Sequence, residues 1–248
     1  MAGIPEHLPH QLSRRKPQLA GRSHNASNAS IPYQGGVAPN AGIGHLRQTL
    51  QQLERQHSLD RKAWILPTGY SEIDTALPEN GLPSHSVHAI AGSVSICFLL
   101  KLLAQLPNQP ETSTLLWCRS AKASEVPYGP VFHQNQIDTE GVIFVQCKTD
   151  KDLLWTMEEA LRSNALDLVI GEPEKAIDLT ASRRLQLAAE TGGSMGILLS
   201  LGDLVPCPPN GLFSRWHISP AEDENLHIDL QRIRSGKPQS WICEYDYR

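Results

Sequence analysis

The chain has 248 residues, 40% of them hydrophobic and 19% charged, with a formal net charge of -4 at pH 7. That is enough apolar material for one α/β domain of about 180 residues plus extra segments. The charge is unevenly placed, +5 over residues 1–62 and -9 over the rest, so nucleic-acid contact is left to local basic patches rather than to the domain as a whole.

Five cysteines (Cys97, Cys118, Cys147, Cys207 and Cys243) show no Cys-x-x-Cys pair, and four of them sit in apolar runs. This predicts reduced thiols packed as small hydrophobes and a cytoplasmic address. No apolar run reaches the roughly 20 residues that span a bilayer.

Residues 1–42 are rich in Pro, Gly, Ser, Asn and His. They carry too little periodic apolar surface to offset their ordering entropy, which predicts a disordered tail. Residues 43–62 read as an amphipathic helix and linker. Leu46, Leu50 and Leu53 fall at i, i+4 and i+7, one narrow stripe. Such a stripe needs a surface, either its own domain or another protein, and both remain open.

Residues 63–248 alternate strand and helix. Val87–Ala91, Thr114–Cys118, Val142–Gln146, Leu166–Ile170 and Gly196–Ser200 read as strands. Ser95–Leu106, Asp150–Ser163 and Thr180–Thr191 read as helices. Continuous apolar strands between helices predict a mostly parallel sheet covered on both faces. Arg215–Ser219, Leu226–Ile233 and Ser240–Tyr245 alternate apolar and polar residues instead, which predicts an antiparallel edge, with Gly236-Lys237-Pro238 as its last turn.

Leu66-Pro67-Thr68-Gly69, Ser71-Glu72-Ile73-Asp74-Thr75-Ala76-Leu77, Asn80-Gly81-Leu82-Pro83 and the strand ending at Gly92 together resemble the entry to a RecA-type ATPase core. The resemblance implies a phosphate-binding loop next, closed by Gly-Lys-Ser/Thr. Here the stretch is Ala91-Gly92-Ser93-Val94-Ser95-Ile96-Cys97-Phe98, without the lysine, the second glycine or the hydroxyl beside it. Gly92, Ser93 and Ser95 are what remains of a degenerate loop.

Three further runs resemble the ImuA family, RecA/SulA-like accessory proteins of bacterial damage-induced mutagenesis. They are Ile177-Asp178-Leu179-Thr180-Ala181-Ser182-Arg183-Arg184-Leu185, the helix Leu154–Ser163, and Arg232-Ile233-Arg234-Ser235-Gly236-Lys237-Pro238 followed by Trp241. This resemblance covers roughly residues 44–245. It implies a RecA-like pseudo-ATPase core and an adaptor that links RecA on DNA to an ImuB-like Y-family protein and an error-prone C-family polymerase. The alternative by resemblance is SulA, a shorter relative that binds the tubulin-like division protein.

Catalytic chemistry is not expected. Glu172, after the fourth strand, stands where a metal-binding acid would lie, but Arg119-Ser120-Ala121-Lys122 offers no water-orienting carboxylate; Glu125 is the nearest. His85 and His88 have no ligand-spaced partners, and Ser182 lacks the glycines of a nucleophile elbow. No cofactor and no metal are expected. Leu46, Leu50, Leu53, Arg183 and Arg184 are the candidate partner-binding residues. Arg232, Arg234 and Lys237 are candidates for phosphate contact, against the alternatives of a solvated face or ion pairs with Glu222, Asp223 and Glu224. The loop from Leu201 to Gly211 carries Asp203 and no Lys or Arg, which argues against RecA-style binding of single strands there.

Overall fold

The computed structural model describes residues 48–50, 63–106, 114–121, 129–135, 137, 141–202 and 211–245. All of them belong to one compact unit, Pro39–Arg248. The tail 1–42, Leu46, Leu53, Glu125 and Cys207 lie outside the described residues.

The strands are β1 (Ile65–Leu66), β2 (Leu82–Pro83), β3 (Val87–Ala91), β4 (Leu115–Ser120), β5 (Val142–Cys147), β6 (Leu168–Glu172), β7 (Met195–Ser200), β8 (Ser214–Pro220), β9 (Leu226–Ile233) and β10 (Gln239–Cys243). The helices are α1 (Ser71–Ala76), α2 (Ser95–Leu103), α3 (Gly129–Gln134), α4 (Asp150–Arg162) and α5 (Leu179–Gly192). β1 and β2 form a small antiparallel pair. The other eight strands form one sheet in the order β10-β9-β8-β3-β7-β6-β4-β5. From β8 to β5 every pairing is parallel, whereas β9 runs antiparallel to both β8 and β10. A mostly parallel sheet flanked by helices, with an antiparallel C-terminal hairpin, is the arrangement of a RecA-like core.

Alternation along the strands splits the interior in two. On one face Ile90, Trp117, Ile170, Ile197 and Trp216 meet Phe98, Leu99, Leu102 and Leu103 of α2, Ile73 of α1 and Phe132 of α3. On the other, Val87, Ala89, Leu116, Val169 and Leu198 meet Leu153, Met157 and Leu161 of α4 and Leu185 and Ala188 of α5. Gly171 is required at this second contact, because a Cβ there would stand 2.1 Å from the Met157 sulfur.

Local chemistry explains the two helices that follow β5 and β6. Thr149 caps α4 by accepting from the Asp152 N–H at 3.2 Å, and Asp178 caps α5 by accepting from the Ala181 N–H at 2.7 Å. α5 stops at Gly193, whose φ of 79° suits the left-handed cap. α2 has no side-chain cap and ends three residues before the predicted Leu106. There the Gln105 N–H turns back to the Leu102 carbonyl, tightening the last turn. The β1–β2 pair and α3 are not apparent in the sequence pattern, being too short to carry a period. Among the described residues no helix is long and apolar enough to cross a membrane.

Candidate functional site

β3 delivers the chain to Gly92, and α2 begins at Ser95, so only Gly92, Ser93 and Val94 lie between them. A phosphate loop of the Gly-x-x-x-x-Gly-Lys-Ser/Thr kind is about eight residues long and offers free amides to the ligand. This turn is shorter, and several of its polar groups are bonded within the domain. The Gly92 N–H donates to the Gly202 carbonyl at 2.9 Å, and the Ser95 and Cys97 N–H groups donate to the Gly92 and Val94 carbonyls at 3.1 and 3.0 Å. The Ser95 hydroxyl, fully buried, donates to the Ser200 carbonyl at 2.8 Å. Gly92 sits at φ +123° with the Ile218 carbonyl so close that a Cβ would stand 1.9 Å from its oxygen. Of the three candidate residues, only Ser93 faces solvent. At the same sheet edge, the turn from β8 to β9 carries Glu222, Asp223 and Glu224, a sign that repels phosphate.

Glu172 ends β6 on the α2 face, directly opposite Arg119 on β4. Its Oε1 accepts from the Trp117 indole N–H at 2.5 Å, and its Oε2 from Arg119 Nε at 3.3 Å. Both charged side chains are 10% exposed. Burial pushes the Glu172 carboxyl up, while Arg119 and the indole pull it back. The loop after β6 is tied down in its turn: Asp150 accepts from the Glu174 and Lys175 N–H groups at 2.9 and 3.1 Å, and Ser120 donates to Glu174. The acid's oxygens are engaged by an indole and a guanidinium. Among the described residues no group of three His, Cys, Asp or Glu side chains could hold a metal ion. Trp117 and Arg119 escaped the sequence reading, although their alternation on one strand was the available signal.

His88 is fully buried in a polar chain. The Trp216 indole N–H donates to Ser214 Oγ at 2.8 Å, and Ser214 lies 2.6 Å from His88 Nδ1. On the other side, His88 Nε2 lies 2.9 Å from Ser86 Oγ, which itself donates to the Pro83 carbonyl at 2.5 Å. Ser86 has spent its proton on Pro83, so Nε2 carries the hydrogen and Nδ1 accepts from Ser214. The ring is neutral. Burial lowers its pKa to about 4, with the Pro83 carbonyl working against the shift. His85 is outside this chain, and its Nε2 is buried without a partner.

The structure separates the basic candidates. Arg183 and Arg184 lie on exposed positions of α5. Arg184 pairs with Glu158 of α4, which also holds Arg162 at 2.7 Å; Arg183 has no ion-pair partner among the described residues. The hairpin arginines lie toward the other end of the sheet and do not meet Glu222, Asp223 or Glu224. Arg232 donates to the Leu212 carbonyl at 2.7 Å. Arg234 pairs with Glu190 at 3.1 Å and lies over the Phe213 ring. Lys237 is exposed in the turn. Leu50, in a helical turn at 48–50, is 5% exposed and packs with the α4–α5 face, while Leu46 and Leu53 of the stripe lie outside the described residues.

No family model matches the chain. Two curated relatives are similar to it. The Protein ImuA of Caulobacter vibrioides strain NA1000 / CB15N is 28% identical over 207 residues, covering 73% of this chain and 83% of the relative. The Protein ImuA of strain ATCC 19089 / CIP 103742 / CB 15 matches with the same figures.

Proposed function

We propose, on the premise that this likeness supports membership of the ImuA family, that the chain serves damage-induced mutagenesis as a non-catalytic adaptor. The observation that carries the reading is the turn between β3 and α2. It keeps the place of a phosphate loop in a RecA-like sheet, yet it is shortened, and the Gly92 and Ser95 amides and the buried Ser95 hydroxyl bond to the Gly202, Gly92 and Ser200 carbonyls. A scaffold of that shape, with a short turn bonded to its own sheet, works through its surfaces. By family resemblance those surfaces connect RecA or RecA-coated DNA with an ImuB-like Y-family protein and an error-prone C-family polymerase. The exposed line of α5 around Arg183 is one such surface, and the closing hairpin is the other.

Deleting only this protein tests the reading. Damage-induced mutation frequency falls to the uninduced level if it is right and stays at the wild-type level if it is wrong. Filamentation on overexpression, with mutation frequency unchanged on deletion, would assign the chain to the SulA-like alternative.

A further inference from the structure

The ladder between β8 and β9 places two arginines directly opposite each other, Arg215 against Arg232, at the rung beside a register shift. Like charges on facing positions of an antiparallel pair repel, and natural sheets ordinarily place a carboxylate near them. Here neither guanidinium has one among the described residues. Arg232 donates to the Leu212 carbonyl at 2.7 Å, and the Arg215 Nε is buried without any partner. The nearest acid along the same ladder, Asp229, faces His217 and forms no ion pair with either arginine. Both side chains are half-buried, with part of each still reaching solvent. The face they share is the polar one: Trp216, Ile218, Ile228 and Leu230 point the other way, into the core under α2.

We infer that the Arg215–Arg232 rung is an anion site that takes a phosphate group. Two planar donor forks carried on facing residues of neighbouring strands suit the oxygens of one phosphate, which would offset their repulsion and satisfy the orphaned Nε. The bulge supports this, because an extra residue in one strand re-aims side chains locally and such irregularities gather at functional positions. The site uses one arginine that the sequence pattern suggested, Arg232, and one that it did not, Arg215. It excludes Arg234, which Glu190 neutralises. The phosphate can belong to a nucleic-acid backbone or to a small free molecule. The inference stands independently of the adaptor reading, since it needs only the two strands.

The test uses the full-length protein, Arg215→Met, Arg232→Lys and a control on the exposed side of α4, Lys151→Gln. Thermal unfolding is followed in chloride, in inorganic phosphate and with single-stranded or duplex oligonucleotides, and anisotropy of labelled oligonucleotides is followed over a salt series. In chloride, Arg215→Met unfolds at the same or a higher temperature than the wild type, because a half-buried cation with an orphaned Nε, facing a second arginine, is gone. Phosphate raises the wild-type midpoint and leaves that of Arg215→Met unmoved. If the source is a polynucleotide, Arg215→Met weakens oligonucleotide binding about tenfold and lowers the salt slope by about one, Arg232→Lys, which keeps the charge but loses the fork, weakens binding with the slope unchanged, and Lys151→Gln binds as the wild type does. A response to free phosphate without oligonucleotide binding assigns the site to a small phosphorylated molecule. No midpoint shift with phosphate or with either oligonucleotide overturns the inference, as does an equal shift in wild type and Arg215→Met.

Discussion

The Trp117 indole N–H points at Glu172 across two paired strands and meets its carboxylate at 2.5 Å, while Arg119 closes on the same group at 3.2 Å. An acid that would hold a metal in an ATPase is here the centre of a buried aromatic and ionic knot. Glu172→Gln keeps an oxygen for the indole but leaves Arg119 as a buried, uncompensated cation. The expected loss is about 3 kcal/mol in chemical denaturation, with Arg119→Gln similar and the double variant less than additive. Magnesium leaves the wild-type unfolding midpoint unchanged; a rise that Glu172→Gln abolishes would show the acid to be a ligand after all.

His88 makes stability depend on pH. Its pKa is about 6.5 in the unfolded chain and about 4 in the fold, so between those values the unfolded state binds the extra proton. Stability therefore falls as pH drops from about 6.5 to 4, by about 3 kcal/mol in all, and flattens below that. Replacing His88 with Gln removes this slope. An unchanged slope in that variant would assign it to other groups.

Ser95 and Gly92 carry the closure of the β3–α2 turn. Ser95→Ala strands the Ser200 carbonyl and costs about 1 kcal/mol. Gly92→Ala forces both a positive φ and a collision with Ile218, and costs at least about 2 kcal/mol. Magnesium-ATP shifts the melting of neither variant nor the wild type on the proposed reading. A nucleotide-dependent shift in the wild type would contradict it.

The two adjacent arginines of α5 part company. Arg184→Ala removes an exposed contact to Glu158 and lowers stability by less than about 1 kcal/mol. Arg183→Glu leaves the melting curve in place and lowers damage-induced mutation frequency if that face meets a partner. Equal mutagenesis in wild type and Arg183→Glu would remove α5 from the proposed surfaces.

The sheet was legible in the sequence wherever period and length agreed. Val87–Ala91 and Leu226–Ile233 are found as read, because one is a continuous apolar run and the other a clean alternation. Other ends move by a residue or two, as with β6, where Gly171 and Glu172 read as loop but continue the ladder opposite Cys118 and Arg119. The candidate turn was legible through what it lacked, a lysine and a second glycine. Its closure was not, since Gly202, Ser200 and Ile218 approach from segments more than 100 residues away in sequence. The pairings of Arg184 with Glu158, 26 residues apart, and of Arg234 with Glu190, 44 apart, are invisible too, because they depend on how separate elements pack. Sequence reports charge; only register and packing decide which charges find each other.

A motor protein of this architecture carries its own clock, since the bound nucleotide ages and the grip on a partner changes with it. On the proposed reading this chain, whose Gly92 amide is bonded to Gly202, has no such clock. On the proposed reading, how long the chain stays in any assembly is set by dissociation alone, and how many assemblies it occupies follows its abundance. Control then falls to synthesis and removal of the protein, which suits a factor needed only while lesions persist.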